Sequence, residues 1–317
     1  MDSETSNLQP LLVIVGPTAS GKTRLAIEAS EALGGEIVSA DAFAVYRGLD
    51  IGTDKPDAEA RRRVRHHLID VAAPTERFSA GDFARDAGVA IEDIRSRGLT
   101  PILAGGSHFY VRALLLGLFP SPPRDAKIRA RLVAAWRRDP ATLVRTLQEI
   151  DPDAAARIDS RDRQRIVRAL EVHELTSVPI SEHWKRSRQS PRYRPVIVAP
   201  ERPREELYAR IDARVDHMFR SGLEEEVNQL LVSGVPRDAH ALKAIGYRQV
   251  LEMLQGSWDR PTTVARTKQA SRRLAKRQLT WLRSLREGSL RWVQPADCGG
   301  TESRLAVWHP HRGSRSL

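Results

Sequence analysis

The strongest constraint on this chain is a junction near its start. Leu11-Leu12-Val13-Ile14-Val15 is an unbroken apolar run that passes into Gly16-Pro17-Thr18-Ala19-Ser20-Gly21-Lys22-Thr23, and a helical stretch continues to Leu33. An apolar run without alternation suits a strand buried on both faces of a parallel sheet. A G-x-x-x-x-G-K-[ST] turn between such a strand and a helix is a phosphate cradle. Its glycines allow backbone angles that turn amide N–H groups inward, beside the positive end of the helix. Residues Gly16, Pro17, Thr18, Ala19, Ser20, Gly21, Lys22 and Thr23 are therefore read as a site for a phosphoanhydride, whether ATP, GTP or another diphosphate, with Lys22 on the terminal phosphate and the Thr23 hydroxyl on Mg²⁺.

Further apolar segments repeat the rhythm. Residues 36–40, 67–71 and 100–104 read as strands, and residues 80–97 as a helix. Strand–helix alternation predicts an α/β fold with a doubly wound parallel sheet. With 317 residues, roughly two domains are expected. The division is read as a phosphate-loop core over 1–120, a helical insertion domain over 121–194, and a return to the core with a helical C-terminal part over 195–290. Residues 291–317 are expected to form a mobile tail with no assigned role. In the C-terminal part, 204–231, 243–254 and 264–286 read as helices.

Ligands of a parallel sheet lie at the carboxyl ends of its strands. Asp41 and Ser107 both fall there. Asp41 has three options: holding Mg²⁺ through water, accepting a proton from a nucleophile, or capping the next turn. Ser107 would orient a substrate or cap a helix. Asp70 has two readings, the metal-side acid of an NTPase or, favoured by the adjoining His66-His67 and Pro74, part of a structural turn; His66-His67 lacks the further ligands a metal site needs.

Charge now matters. Lys and Arg number 51 against 40 Asp and Glu, a net charge of +11, which favours an anionic partner. Between Arg266 and Arg286 no acid interrupts the basic residues. On a helix, Leu274, Trp281 and Leu285 would form the docking seam, and Arg272, Lys276 and Arg283 a cationic face for a nucleic acid. Arg157, Arg161, Arg163, Arg165 and Arg168 form a second basic run, suggesting a clamp around a folded nucleic acid. The single cysteine, Cys298, rules out an internal disulfide, and the longest apolar runs fall far short of the ~18 residues a membrane span needs. A cytoplasmic chain with no membrane partner is expected.

The stretches Gly16–Thr23 (GPTASGKT), Ser39–Tyr46 (SADAFAVY), Leu49–Pro56 (LDIGTDKP), His66–Asp70 (HHLID), Gly105–Tyr110 (GGSHFY), Asp162–Glu171 (DRQRIVRALE), Ala244–Gln249 (AIGYRQ) and Ala275–Arg283 (AKRQLTWLR) together resemble the tRNA dimethylallyltransferase family. The resemblance implies transfer of a dimethylallyl group from dimethylallyl diphosphate to N6 of the adenine 3′ of the anticodon, in tRNAs reading codons that begin with U. It implies a prenyl diphosphate in the Gly16–Thr23 loop, Mg²⁺ as cofactor and a monomer that binds the anticodon stem-loop. Asp41 falls on the family's general base, and Ser107 on its second active-site hydroxyl. Asp41, Ala42, Phe43, Ala44, Ser107, Arg129, Gln164, Arg165, Ile166, Val167, Arg168, Lys243, Gly246, Tyr247, Arg248, Lys276, Arg277, Gln278, Trp281 and Arg283 fall on tRNA-contacting segments. Ala42 and Ala44 replace the usual Ser and Gln, Ser107 replaces Thr, and His108 stands where Gly or Met is usual. The competing readings are a small-molecule kinase, an RNA-binding protein without prenyl transfer, and a transferase acting on free adenine nucleotides.

Overall fold

The computed structural model describes residues 8–118, 122–186, 191–285 and 289–294. Its centre is a six-stranded parallel sheet: β1 Pro10–Val15, β2 Gly35–Ser39, β3 His66–His67, β4 Thr100–Gly105, β5 Arg194–Pro200 and β6 Leu290–Val293, in the order β3-β2-β4-β1-β5-β6. Leu11, Val13 and Ile14 are wholly buried, and each such side chain contributes about 1.5–3 kcal/mol. Helices α1 Lys22–Leu33, α2 Ala58–Arg63 and α3 Ala80–Ser96 connect the first four strands, and α4 His108–Leu116 follows β4. Gly34, at φ 59°, ends α1, and the Ser79/Asp82 capping box starts α3.

The chain divides into two compact units, residues 1–115 with 191–317, and residues 116–190. The smaller unit is helical: α5 Ala126–Arg138, α6 Pro140–Ile150, α7 Pro152–Arg157, α8 Arg163–Thr176 and α9 Ile180–Arg186. Leu132, Leu143, Leu147, Ile166, Val167 and Leu170 lie in its core. The larger unit continues with α10 Arg204–Arg220, α11 Leu223–Val232, a 3₁₀ turn Ala241–Lys243, α12 Tyr247–Leu254 and α13 Arg260–Arg283.

Four expectations are corrected. The strand expected over 67–71 is only His66–His67, because Leu68 and Asp70 take left-handed angles (φ 61° and 60°). The single helix expected over 204–231 breaks at Gly222 (φ 97°) into α10 and α11. Residues 291–293, expected in a mobile tail, belong to β6, parallel to β5; residues 295–317 lie outside the described residues. On α13 the buried positions are Thr263, Thr267, Ala275, Gln278 and Leu282, so the docking seam is rotated from Leu274, Trp281 and Leu285. No described helix is long and apolar enough to cross a membrane.

Candidate functional site

β1 lies between β4 and β5, where the strand order reverses direction, and a crevice opens at such a point beyond the strand ends. Here it is a cavity of about 350 Å³ within the larger unit, lined by Thr18, Lys22, Thr23, Asp41, Asp54, Arg214, Lys243, Arg277 and Gln278 among others. The phosphate loop shapes one wall. Ala19 (φ 63°) and Gly21 (φ 93°) both adopt left-handed angles, which turns successive amides into a concave nest. The amides of Lys22 and Thr23 at the start of α1 are orphaned by helix geometry. A Cβ at Gly16 would sit 2.6 Å from Ser20 Oγ, so any side chain there would force Ser20 to move.

Helix α10 carries a charge pattern that organises the site. Arg210 and Arg214, one turn apart, face the phosphate loop. Arg210 Nε donates to Ala19 O at 3.0 Å, and Arg214 bonds Thr18 Oγ1 while its Nε lies 3.2 Å from Asp54 Oδ2. Asp212 and Asp216, also one turn apart, face α13. They hold Arg272 at 2.6 Å and Lys268 at 2.7 Å. Burial and the neighbouring Arg214 push the Lys22 ammonium below its ordinary range, while Asp41 and Asp54 pull it back up. The cavity thus concentrates positive charge for an anion, with two carboxylates set against it.

Asp41 follows β2. Its Oδ1 accepts from the Phe43 and Ala44 amides at 2.9 and 3.2 Å, so it caps the following turn and lines the cavity at once. Ser107 Oγ accepts the Ala42 amide at 2.9 Å. It therefore braces the Asp41 turn rather than capping α4. Thr23 lines the same cavity. One hydroxyl among carboxylate oxygens is a hard-oxygen donor set that fits Mg²⁺, which binds through few protein ligands beside substrate phosphates. Among the described residues no cluster of three or more His, Cys, Asp or Glu forms an all-protein metal cage.

Several positions expected to contact RNA are committed inside the protein. Ile166 and Val167 are buried in the helical unit. Arg129 and Arg168 both grip the fully buried Glu171, at 3.0 and 2.9 Å. Ala44 and Gly246 are buried. Tyr247 is fully buried, and its hydroxyl bonds Glu226 and accepts the Gly52 amide. Gln278 is 7% exposed and bonds only protein atoms that line or flank the cavity. Arg272 is tied to Asp212. Gln164, Arg165, Lys243, Arg248, Lys276, Arg277 and Arg283 are exposed, and Ala42, Phe43 and Trp281 are half-buried. Trp281 packs against His108 with ring centres 5.4 Å apart.

Sequence reasoning missed Arg214, Asp54 and Glu226. The alternation Arg210, Asp212, Arg214, Asp216 was the available signal for the first. Glu226 accepts the Asp50 and Ile51 amides at 3.0 and 2.9 Å, fixing the loop that bears Asp54. Lys55, in the same loop, is buried against Tyr46 O, Asp50 and Asp70. Asp70 is accordingly a structural counter-ion.

A parallel sheet with this loop and a cationic crevice defines a phosphate-loop α/β protein. Comparison narrows the class. Residues 44–285 match the model of the IPP transferase family. The chain is 48% identical over 286 residues to tRNA dimethylallyltransferase 1 of Trichlorobacter lovleyi, covering 89% of this chain and 93% of that protein. The full-length tRNA isopentenylpyrophosphate transferase of Bacillus halodurans is 36% identical with a TM-score of 0.69, covering 94% of both chains. A eukaryotic dimethylallyltransferase captured acting on tRNA superposes with a TM-score of 0.80 at 25% identity, covering 94% of this chain and 77% of that one. The chain belongs to the IPP transferase family.

Proposed function

We propose that the chain transfers a dimethylallyl group from dimethylallyl diphosphate to N6 of the adenine 3′ of the anticodon, in tRNAs reading codons that begin with U. The observation that carries this reading is one cavity holding both Lys22 and Asp41, with Arg277 of the basic helix on its wall. An adenine amine is a weak nucleophile because its lone pair is delocalised into the ring. As N6 attacks C1 of the allyl group, the N6–C1 bond forms and the C1–O bond to diphosphate breaks. The amine proton passes to Asp41, whose Oδ1 is pinned by two amides. Lys22, Arg214 and the loop amides hold the diphosphate as its charge grows. Thr23 would hold Mg²⁺, which when bound adds charge stabilisation on the leaving diphosphate. The exposed Lys276, Arg277 and Arg283 take RNA phosphates, offsetting the few kcal/mol needed to unstack the target base. The enzyme would work as a cytoplasmic monomer.

The test is to incubate the protein with Mg²⁺, labelled dimethylallyl diphosphate and unmodified tRNA. Label should reach the adenine beside the anticodon. Asp41→Ala should abolish transfer while prenyl-diphosphate binding persists. Loss of that binding in parallel with transfer would refute the base role. ATP consumption without label would return the site to a kinase. Tight tRNA binding without either would leave an RNA-binding protein.

A further inference from the structure

Gln278 lies on α13 amid a run of cations, yet it faces inward. Its Oε1 accepts the Thr18 amide at 2.9 Å, and its Nε2 donates to Gly106 O at 2.9 Å. Thr18 belongs to the phosphate loop. Gly106 precedes Ser107, which holds the Ala42 amide beside Asp41. One side chain therefore ties the diphosphate wall to the wall that bears the carboxylate. An amide side chain suits this task, since it carries an acceptor and a donor on two separate atoms of one arm. Gly106 is shaped for it: a Cβ there would lie 2.5 Å from Gln278 Nε2. The same helix turns Arg273, Lys276 and Arg283 outward and carries the exposed Arg277 at the cavity wall.

We propose that Gln278 is a positioning residue that couples the two substrates and makes no RNA contact of its own. RNA held on the outer face of α13 seats that helix. The seated helix, through Gln278, sets the spacing between the diphosphate cradle and Asp41. The inference rests on the prenyl-transfer reading. It differs from the role that resemblance assigns to this position.

The experiment measures binding of an unreactive thio analogue of dimethylallyl diphosphate with and without a saturating anticodon stem-loop RNA. The unaltered protein, Q278L, Q278E and G106A are compared, with kcat and RNA Kd alongside. Q278E keeps the size and the bond to Thr18 but loses the donor to Gly106; G106A changes no residue of α13 and acts only by displacing the end of Gln278. In the unaltered protein, RNA should tighten analogue binding by a factor within about 5 to 150. In all three variants that factor should fall towards one. Their kcat should drop on the order of 10- to 100-fold, as small misplacements of reacting groups do, while RNA Kd stays within about twofold. A tenfold weaker RNA Kd in Q278L with the coupling factor intact would make Gln278 an RNA contact and overturn the proposal. Unchanged coupling and kcat would reduce it to packing. If the unaltered protein transfers no prenyl group, the underlying reading fails; if it transfers normally and only the variants behave as the parent, the coupling role alone fails.

Discussion

Two arginine-rich helices, α8 in the helical unit and α13 in the sheet-bearing unit, look alike in composition and use their cations differently. On α8, Arg168 joins Arg129 around Glu171, a carboxylate with no exposed surface that also accepts the Asp125 amide. On α13, Lys268 and Arg272 are spent on Asp216 and Asp212, while Arg273, Lys276, Arg277 and Arg283 stay exposed. A basic run is thus not a surface for RNA until its counter-ions are found. What separates structural from solvent-facing cations is which turn of the helix meets an acid on a neighbouring element.

The comparison can be broken most severely at its buried end. Glu171→Ala would leave two guanidiniums facing an empty, desolvated site, a loss of about 3–5 kcal/mol. A fall in the thermal midpoint and loss of helical circular dichroism should report it, and a neutral result would mean Arg129 and Arg168 are solvated cations after all. Glu36 is the same device in the other unit, clamped by Arg97 at 2.6 Å and by His67 at 2.6 Å. The Arg97 bonds, reinforced by His67, hold its carboxyl at about 2, against an ordinary 4.5. A depressed acid stabilises the fold above its unfolded pKa and loses that contribution as pH falls through the folded one. Denaturant titrations should therefore show roughly 2–3 kcal/mol lost between about pH 4.5 and 2, and Glu36→Gln should flatten that slope. At the exposed end, Lys276→Ala or Arg277→Ala should leave melting unchanged. Each should weaken tRNA binding and reduce the slope of log K against log salt by about one. The smallest effect is expected at Arg161, fully exposed on Asp159, where substitution to Ala should leave melting unmoved.

The fold was largely legible because its signals are local. The apolar run before Gly16 and Gly34 after α1 each act within a few residues. The site was half legible. Lys22, Thr23 and Asp41 are announced by motif and by position at strand ends. Arg214 was not, because its role depends on α10 lying across the phosphate loop. Gln278 was placed among the RNA contacts by the family resemblance; only the tertiary placement of Thr18 and Gly106 reveals that it faces inward. Glu171 sits three residues after Arg168, a spacing that signals an ion pair, but nothing local says the carboxylate is buried.

The bare backbone at Gly106 carries a consequence for how this sequence can change. Any side chain at 106 displaces the end of Gln278, and any shorter residue at 278 leaves the Thr18 amide and the Gly106 carbonyl without their bridge. The two positions, 172 residues apart, are therefore a single unit of variation. A drift at either one is tolerated only when the other answers it, so libraries that randomise α13 for altered RNA preference should hold 106 and 278 fixed or vary them as a pair.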